Sequence, residues 1–479
     1  TQQRPSQMKD SKEQTKTPVV LPELLKLVEE CRPVYKQGRI FNRILALVMA
    51  EIFVFGRHTL TQLLLSLGLD KEDWTAWYRL FSKGRFQEEA SNGVLVKRMT
   101  QETVIQKPFV IGIDGFHVPR CSLKMPGTAW MRGLRTAAFR PGIQRGQRFV
   151  EGSWLPAMHQ GFTRAIPLRC LPAFTRKSAP ANESPQTEVV AGLQIIKWCR
   201  QKLDQFGRQE QGLLILADGS YDTLDFWRGL PQNCLALVRT ARNRCLYHLP
   251  PAGSHGNRLY GEKAVAPHSY LKKRKAFKHA KIMIRGRQRK IRYRLEGPFV
   301  RESNPHIPLF LLIIGGSQRP KGARRKRYQP CFFLISALPT DTGNFVLPLP
   351  ILEILVWLWQ RWELEVAHRQ MKTGLGLGEK QAWNKVATVS TVQWSVWVYS
   401  LIVLAGYLAW GYQTVPNAPG SWRKAPQRWS FNSVLRQLRC ELWNQPDFKP
   451  TWVWSRDNWL GNEPHWANLF NAMLGSTRL

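Results

Sequence analysis

Pro108-Phe-Val-Ile-Gly-Ile-Asp114 and Leu213-Leu-Ile-Leu-Ala-Asp218 are two short apolar runs, each ending in an aspartate that is followed by glycine. Both predict β-strands. The chain has 70 Lys plus Arg against 33 Asp plus Glu, so the placement of its few acids is informative. At strand ends side chains leave the core and meet ligands. Two aspartates on neighbouring strand ends can share divalent metals that clamp the attacking and leaving oxygens of a phosphodiester, and hard oxygen ligands suit Mg²⁺ or Mn²⁺. An aspartate after a hydrophobic strand is also common without such chemistry, so the pair alone does not decide the function.

Working outward, Arg148 to Ala157 and Thr163 to Pro172 read as two more strands, Val189 to Phe206 as a helix and Cys234 to Val238 as a further strand. Strands first, then strands alternating with helices, predict a mixed α/β sheet. Upstream, residues 21–100 carry apolar residues every three or four positions and read as helices. His58-Thr59-Leu60 into Leu67-Gly68-Leu69 fits the start of a helix-turn-helix and fits a plain helical bundle equally well. The polar residues 1–20 read as a disordered tail without the apolar core of a signal peptide.

Residues 239–330 differ in kind. They hold 24 Lys plus Arg against three acids, Glu262, Glu296 and Glu302. Lys281 to Arg285 and Ile291 to Leu295 flank a glycine-containing turn, as in a hairpin, and Pro308 to Ile314 and Cys331 to Ala337 read as strands. Arg324-Arg325-Lys326-Arg327 is the densest basic run. A charge run is often only a solvated face. Here the excess of one sign, interleaved with Phe277, Tyr293 and Phe299, predicts a polyanion-binding surface.

The net charge of +37 points the same way, because uniform charge repels itself unless a polyanion neutralises it. Nucleic acid is the first partner it suggests and an anionic membrane surface the second. The 20 Trp residues are unlike a basic ribosomal or packaging protein. The eight cysteines include no C-x-x-C pair, and no His is spaced to complete a zinc site, which predicts reduced thiols in a cytosolic protein. The stretch Val386 to Trp422 contains no charged residue, and Thr391 to Trp410 is mostly apolar. It imitates a membrane span, but its Ser, Thr, Gln and Gly predict a helix buried in a soluble core. Residues 413–479 are Trp-rich and either pack a small subdomain or contact a partner.

One helix is predicted from Ile351 to Lys372. Within it Arg361, Glu365 and Lys372 fall within about 40° of one another at 100° per residue. A carboxylate between two cations suits a metal ligand flanked by phosphate clamps; an ordinary surface ion pair uses the same spacing. Glu363 falls about 200° from Glu365 and is expected to point away from the site and to be dispensable for activity.

Arg361-Trp362-x-x-Glu365, with Lys372 and Gly374-Leu375-Gly376-Leu377, resembles the Y-R-E-K signature of bacterial insertion-sequence transposases. The resemblance covers roughly residues 108–385 and adds Asp114 and Asp218 in the expected order. It implies an RNase H-like α/β core at 106–238 and 331–412, interrupted by a basic β-strand insertion at 239–330. A helical N-terminal DNA-binding domain at 21–105 would precede the core, and the Trp-rich region 413–479 would follow it. It further implies an Asp114–Asp218–Glu365 catalytic triad that holds two Mg²⁺ or Mn²⁺ ions. Arg361 and Lys372 would contact DNA. The partners would be double-stranded DNA, as terminal inverted repeats and target, and a second copy of the chain in a synaptic dimer, with no membrane. The setting would be the bacterial cytoplasm, at the nucleoid. The activity would be cut-and-paste transposition by end cleavage and strand transfer. Two positions depart from the pattern. Leu358 stands where the signature Tyr would be, and Phe332, beside Phe333, stands where relatives often place a Trp that stacks on a flipped base. Two other functions share the charge pattern: a transposase-derived DNA-binding protein or repressor without catalysis, and a structure-specific nuclease of RNase H-like fold. Gly374-Leu-Gly-Leu-Gly-Glu-Lys380 is not a P-loop, since no strand precedes it and Glu379 stands in place of glycine. Asp222 and Asp225 are expected to cap or charge-balance the helix after Asp218.

Overall fold

The two apolar runs become adjacent parallel strands at the middle of one sheet. The computed structural model describes residues 19–122, 125–132, 142–174, 179, 185–251, 259–316, 329–412 and 428–443. The run 324–327, nearly all of the N-terminal tail and most of the Trp-rich region lie outside the described residues.

In chain order the helices are α1 (Leu21–Glu30), α2 (Gly38–Phe53), α3 (Leu60–Ser66), α4 (Thr75–Ser82) and α5 (Glu88–Gln101). Then come β1 (Phe109–Pro119), β2 (Ala129–Arg132), β3 (Ile143–Trp154), β4 (Ile166–Ala173), α6 (Glu188–Gln205), β5 (Leu213–Ala217), α7 (Leu224–Gly229) and β6 (Cys234–Arg239). The basic stretch contributes β7 (Tyr247–His248), β8 (Lys278–Ile284), β9 (Arg287–Arg301) and β10 (Asn304–Ile314). After it follow β11 (Cys331–Ser336), β12 (Leu338–Pro339), β13 (Phe345–Val346), α8 (Ile351–Gln360), α9 (Trp362–Gly374), α10 (Lys385–Trp410) and α11 (Phe431–Trp443).

Among the described residues the main sheet has eleven strands, with the path β2-β3-β1-β5-β6-β11-β10-β9-β7; β4 pairs with β3 and β8 with β9. β3 is antiparallel to β1, and β4 to β3, whereas β5 is parallel to β1 and β6 to β5. The five residues of β5 are all buried, as expected for a parallel strand covered on both faces. Successive side chains of β1 alternate between those faces. Gly112 lies under Leu364 of α9, and Ile113 under Gly192 of α6. The sheet is thus held between α6 and α9.

The strand reading around Asp114 needs one correction. β1 does not stop at the acid but runs on to Pro119, so Asp114 sits mid-strand. The predicted helix 351–372 is likewise two segments, α8 and α9, that meet at Arg361.

The basic stretch does not form a separate layer. β11 runs antiparallel to β6, and β10 and β9 extend the same sheet beyond it. Asp222 ties it down. This carboxylate is fully buried and pairs with Arg244 at 2.5 Å and Arg301 at 3.0 Å, while Thr240 and the Trp227 indole donate to it. It is therefore an internal ion-pair centre and not a helix cap; Thr223 caps α7. The expected hairpin is β8–β9. Its turn residues Arg285 and Gly286 have φ of 51° and 69°, the positive values that suit a two-residue hairpin loop.

The N-terminal helices wrap α10, which is N-capped by Asn384 and carries a largely buried surface including Trp394, Trp397 and Leu401. This is the buried helix foreseen for the apolar stretch. α1, α4 and α5 pack on α10, and α11 packs on α10 and α2. Glu441 of α11 accepts hydrogen bonds from the backbone N–H groups of Val20 at 3.0 Å and Leu21 at 2.6 Å, so it satisfies the open end of α1. Buried Glu51 of α2 accepts from Lys380 at 2.8 Å, from the Trp394 indole at 2.8 Å and pairs with His58 at 2.6 Å. Lys380 ends the glycine-rich stretch that resembles a P-loop, and its ammonium serves this internal pair. α3 and α4 are the two short helices at the helix-turn-helix position; α3 has no Lys or Arg and α4 only Arg79.

Candidate active site

In the β1–β5 ladder Ile113 pairs with Ala217, so the next residues, Asp114 within β1 and Asp218 just past β5, stand at the same level. The fold thus brings together two acids 104 positions apart. Asp114 Oδ1 accepts from the Gly115 N–H at 2.9 Å. Asp218 Oδ1 accepts from the Ser220 N–H at 2.8 Å and the Ser220 hydroxyl at 2.6 Å, which orients the carboxylate at the end of β5.

α9 supplies the third acid through an arginine. Arg361 donates to Asp114 Oδ2 at 3.1 Å and to Glu365 Oε1 at 2.6 Å, so one guanidinium spans the two carboxylates. Burial pushes the Asp114 carboxyl up from its ordinary value; His368 and Arg361 oppose that, and Asp218 adds to it. His368 of α9 packs against Phe116 with ring centres 4.9 Å apart, and its Nε2 lies 3.3 Å from the buried carboxylate of Glu151. Glu151 is the cross-strand partner of Asp114 on β3.

The opposite face of β1 carries a second group that sequence reasoning missed. Glu188 begins α6 and pairs with Arg148 of β3 at 2.8 Å; Arg148 also donates to His117 at 3.0 Å. Burial raises the Glu188 carboxyl, Arg148 opposes this, and Asp218 and Asp114 add to it. Burial lowers His117 to about 4, helped by Arg148 and Lys372, so this imidazole is neutral at pH 7.

The sequence-predicted residues divide into three groups. Asp114, Asp218, Arg361 and Glu365 assemble at one place. Lys372 is exposed on α9 and near enough to His117 for its charge to act there. Phe332 is 6% exposed and pairs with Ile313 inside the sheet, so it offers no face to a base, which corrects its expected role. The aromatic ring with an open face in this region is Trp362, next to Arg361 and 47% exposed. Glu363 does point away from Asp114, but it is no idle surface acid. Its carboxylate is buried and pairs with Arg285 at 3.2 Å and Arg428 at 3.3 Å.

A divalent cation would find only carboxylate oxygens at Asp114, Asp218 and Glu365, the hard donor set that suits Mg²⁺ or Mn²⁺. Among the described residues no three His, Cys, Asp or Glu side chains are already gathered closely enough to hold an ion. The guanidinium of Arg361 lies between Asp114 and Glu365, so the donor set fits the cation once that arginine is displaced.

The hairpin β8–β9 lies on the same side as α8 and α9. Ala280, Ile282 and Ile284 are buried on one of its faces, while His279, Lys281 and Met283 are exposed on the other. Lys281 stands directly across from Lys290, and like charges in that position repel. The tip is pinned: the Arg285 N–H donates to the Gly161 carbonyl at 3.0 Å and the Gly286 N–H to the Gln160 carbonyl at 2.9 Å.

No protein-family model matches the sequence, and no curated protein does. A cryo-EM structure of the piggyBac transposase synaptic complex with hairpin DNA is similar over 90% of this chain and 81% of that chain, at 11% identity and a TM-score of 0.33. A likeness at that TM-score carries no argument about fold or function.

Proposed function

We propose that this chain is a DNA transposase that cleaves transposon ends and joins them to target DNA, with Asp114, Asp218 and Glu365 as its catalytic acids. The observation that carries this reading is the level placement of Asp114 and Asp218 on parallel β1 and β5, with Arg361 and Glu365 of α9 reaching the same point. The order β4-β3-β1-β5-β6, with α6 before β5 and α7 before β6, supports reading the core as RNase H-like. The residues from β7 to β10 then correspond to an insertion between that core and the α9 helix.

Asp114, Asp218 and Glu365 would hold Mg²⁺ or Mn²⁺, two ions per site, and the bound ions would supply charge neutralisation at the scissile phosphate. Arg361 changes partner in this reading. Without substrate it neutralises Asp114 and Glu365; with DNA bound its planar fork of donors turns to phosphate oxygens, which accept. Lys372 and the exposed basic face of β8–β9 extend the phosphate track. Trp362 stands where an aromatic ring can stack on an exposed base. Double-stranded DNA, as terminal repeats and target, is the partner, and a second copy of the chain completes the synaptic complex.

The test is Mg²⁺-dependent cleavage of labelled DNA that flanks the protein's own gene. Wild type should nick at a defined end, and Asp114→Ala, Asp218→Ala and Glu365→Ala should each abolish nicking while retaining end binding. End binding without cleavage by wild type would favour a DNA-binding derivative. Cleavage by shape, with no preference for the end sequence, would favour a structure-specific nuclease.

A further inference from the structure

Glu188 is the first residue of α6, directly after the cap formed by Thr187, whose hydroxyl accepts from the Val190 N–H. A first-turn acid usually faces solvent, where it complements the helix dipole. This one folds back over the sheet. A β-carbon on Gly115 would lie only 2.2 Å from Glu188 Oε1, so the carboxylate fills the space that any side chain at position 115 would need. Gly115 is the neighbour of Asp114 in β1. The absence of a side chain there lets a third carboxylate approach the two aspartates.

A second observation points to a ligand at this place. Tyr221, three residues after Asp218, is 0% exposed, and its hydroxyl has no hydrogen-bond partner among the described residues. Its ring is wedged against α6, where a β-carbon on Gly192 would lie 2.7 Å from Cε1. The hydroxyl feels the charges of Glu188, Asp114 and Asp218 together. A buried hydroxyl left without a partner is costly, and this one lies within electrostatic reach of all three carboxylates without bonding to any of them, so a shared ligand would satisfy it.

Asp114 and Asp218 both act on the Glu188 carboxyl, although the three are not drawn in tightly enough to hold an ion as they stand. Arg148 contacts Glu188 and Arg361 contacts Asp114, yet neither guanidinium touches all the acids. A small cation between them would relieve the repulsion. We propose that Glu188 is a further carboxylate of the Asp114–Asp218 cation site, admitted by Gly115, with the Tyr221 hydroxyl completing the polar lining. This rests on the reading of the two aspartates as a divalent-cation site. It adds an acid from α6 to the acid that α9 supplies.

The experiment is a calorimetric titration of the full chain with Mn²⁺ alone, without DNA, together with thermal melts. Glu188→Gln keeps the shape and a hydrogen-bond acceptor for Arg148, and it should weaken Mn²⁺ binding by about tenfold or more. Gly115→Ala should do the same by pushing Glu188 aside. Tyr221→Phe should weaken binding by a smaller factor with little change in melting. Glu262→Gln, at an exposed position, should bind as wild type. If Asp114→Ala loses Mn²⁺ while Glu188→Gln binds as wild type, the assignment of Glu188 is wrong and the aspartate site stands. If Asp114→Ala also binds as wild type, the cation reading of the aspartates fails and takes this assignment with it. Should Gly115→Ala not fold, Glu188→Gln decides alone.

Discussion

Arg361 and Glu365 are one helical turn apart and joined by a 2.6 Å hydrogen bond, but the same guanidinium also reaches Asp114 at 3.1 Å on the neighbouring sheet. An i,i+4 pair on a helix surface is worth a few tenths of a kcal/mol. A guanidinium shared between two elements does more, since it sets the position of α9 against β1 and holds the charge of both acids in check.

Removing that arginine should therefore have two opposite effects. Arg361→Ala should bind Mn²⁺ more tightly than wild type in calorimetry, because no side chain competes for Asp114 and Glu365. Its cleavage at saturating Mn²⁺ should fall by about a hundredfold or more, the loss typical when a donor at developing charge is removed. Cleavage equal to wild type would reduce Arg361 to a structural ion pair.

The hairpin β8–β9 gives a prediction about salt. Lys281 and Lys290 face each other on its exposed side. Lys281→Ala with Lys290→Ala should weaken binding to every DNA sequence alike and flatten the salt dependence by about 0.9 per lost phosphate contact in log K against log salt. Filter binding at several salt concentrations measures it, and an unchanged slope would leave this face to solvent.

Lys380 governs a prediction about pH. Glu51 is fully buried, and although burial alone would raise it, Lys380 and His58 hold it at about 2 against an ordinary 4.5. An acid with a lower pKa in the folded than in the unfolded chain stabilises the fold above its unfolded value. That contribution declines as pH drops below about 4.5 and is gone once pH passes about 2. Lys380→Met leaves the Glu51 charge without its ammonium and should cost about 3–5 kcal/mol, read from denaturant melts at pH 7. The wild-type advantage over this variant should shrink on acidification; a constant difference between pH 7 and pH 3 would contradict the pairing.

Glu363 should affect stability and not chemistry. Its carboxylate joins Arg285 at the hairpin tip to Arg428 ahead of α11. Both arginines are partly exposed, which discounts the pairs, so Glu363→Ala should cost about 1–3 kcal/mol. The melting temperature should drop while cleavage per folded molecule, assayed well below it, stays near wild type. A variant that melts like wild type but does not cleave would move Glu363 into the site.

The central strands were legible because the apolar runs before Asp114 and Asp218 are local signals, although nothing local showed that β1 runs past its acid to Pro119. The basic hairpin was legible for the same reason, from its alternation and turn. Other features depend on distant partners. Asp222 looks like a helix-start acid from its neighbours, yet Arg244 and Arg301 lie 22 and 79 positions away. Nothing in Ile351 to Lys372 breaks a helix by composition; the two segments meet at Arg361, whose backbone keeps helical angles (φ −51°, ψ −31°). Phe332 reads as an available aromatic until β10 pairs with β11 and closes over it. Glu188 reads as an ordinary capping neighbour of Thr187, and only the nearness of Gly115 reveals where its carboxylate goes.

The contact of Glu441 with the first amides of α1 has a bearing on how the chain is made. α1 leaves the ribosome well ahead of α11: the carboxylate that receives its Val20 and Leu21 amides arrives more than 400 positions later. The α10 surface against which α1 rests is also late. During synthesis α1 must therefore wait without these partners until α10 and α11 have emerged. A product cut short before α11 would leave that helix end unsealed. Such a product should be cut by proteases faster than the full chain.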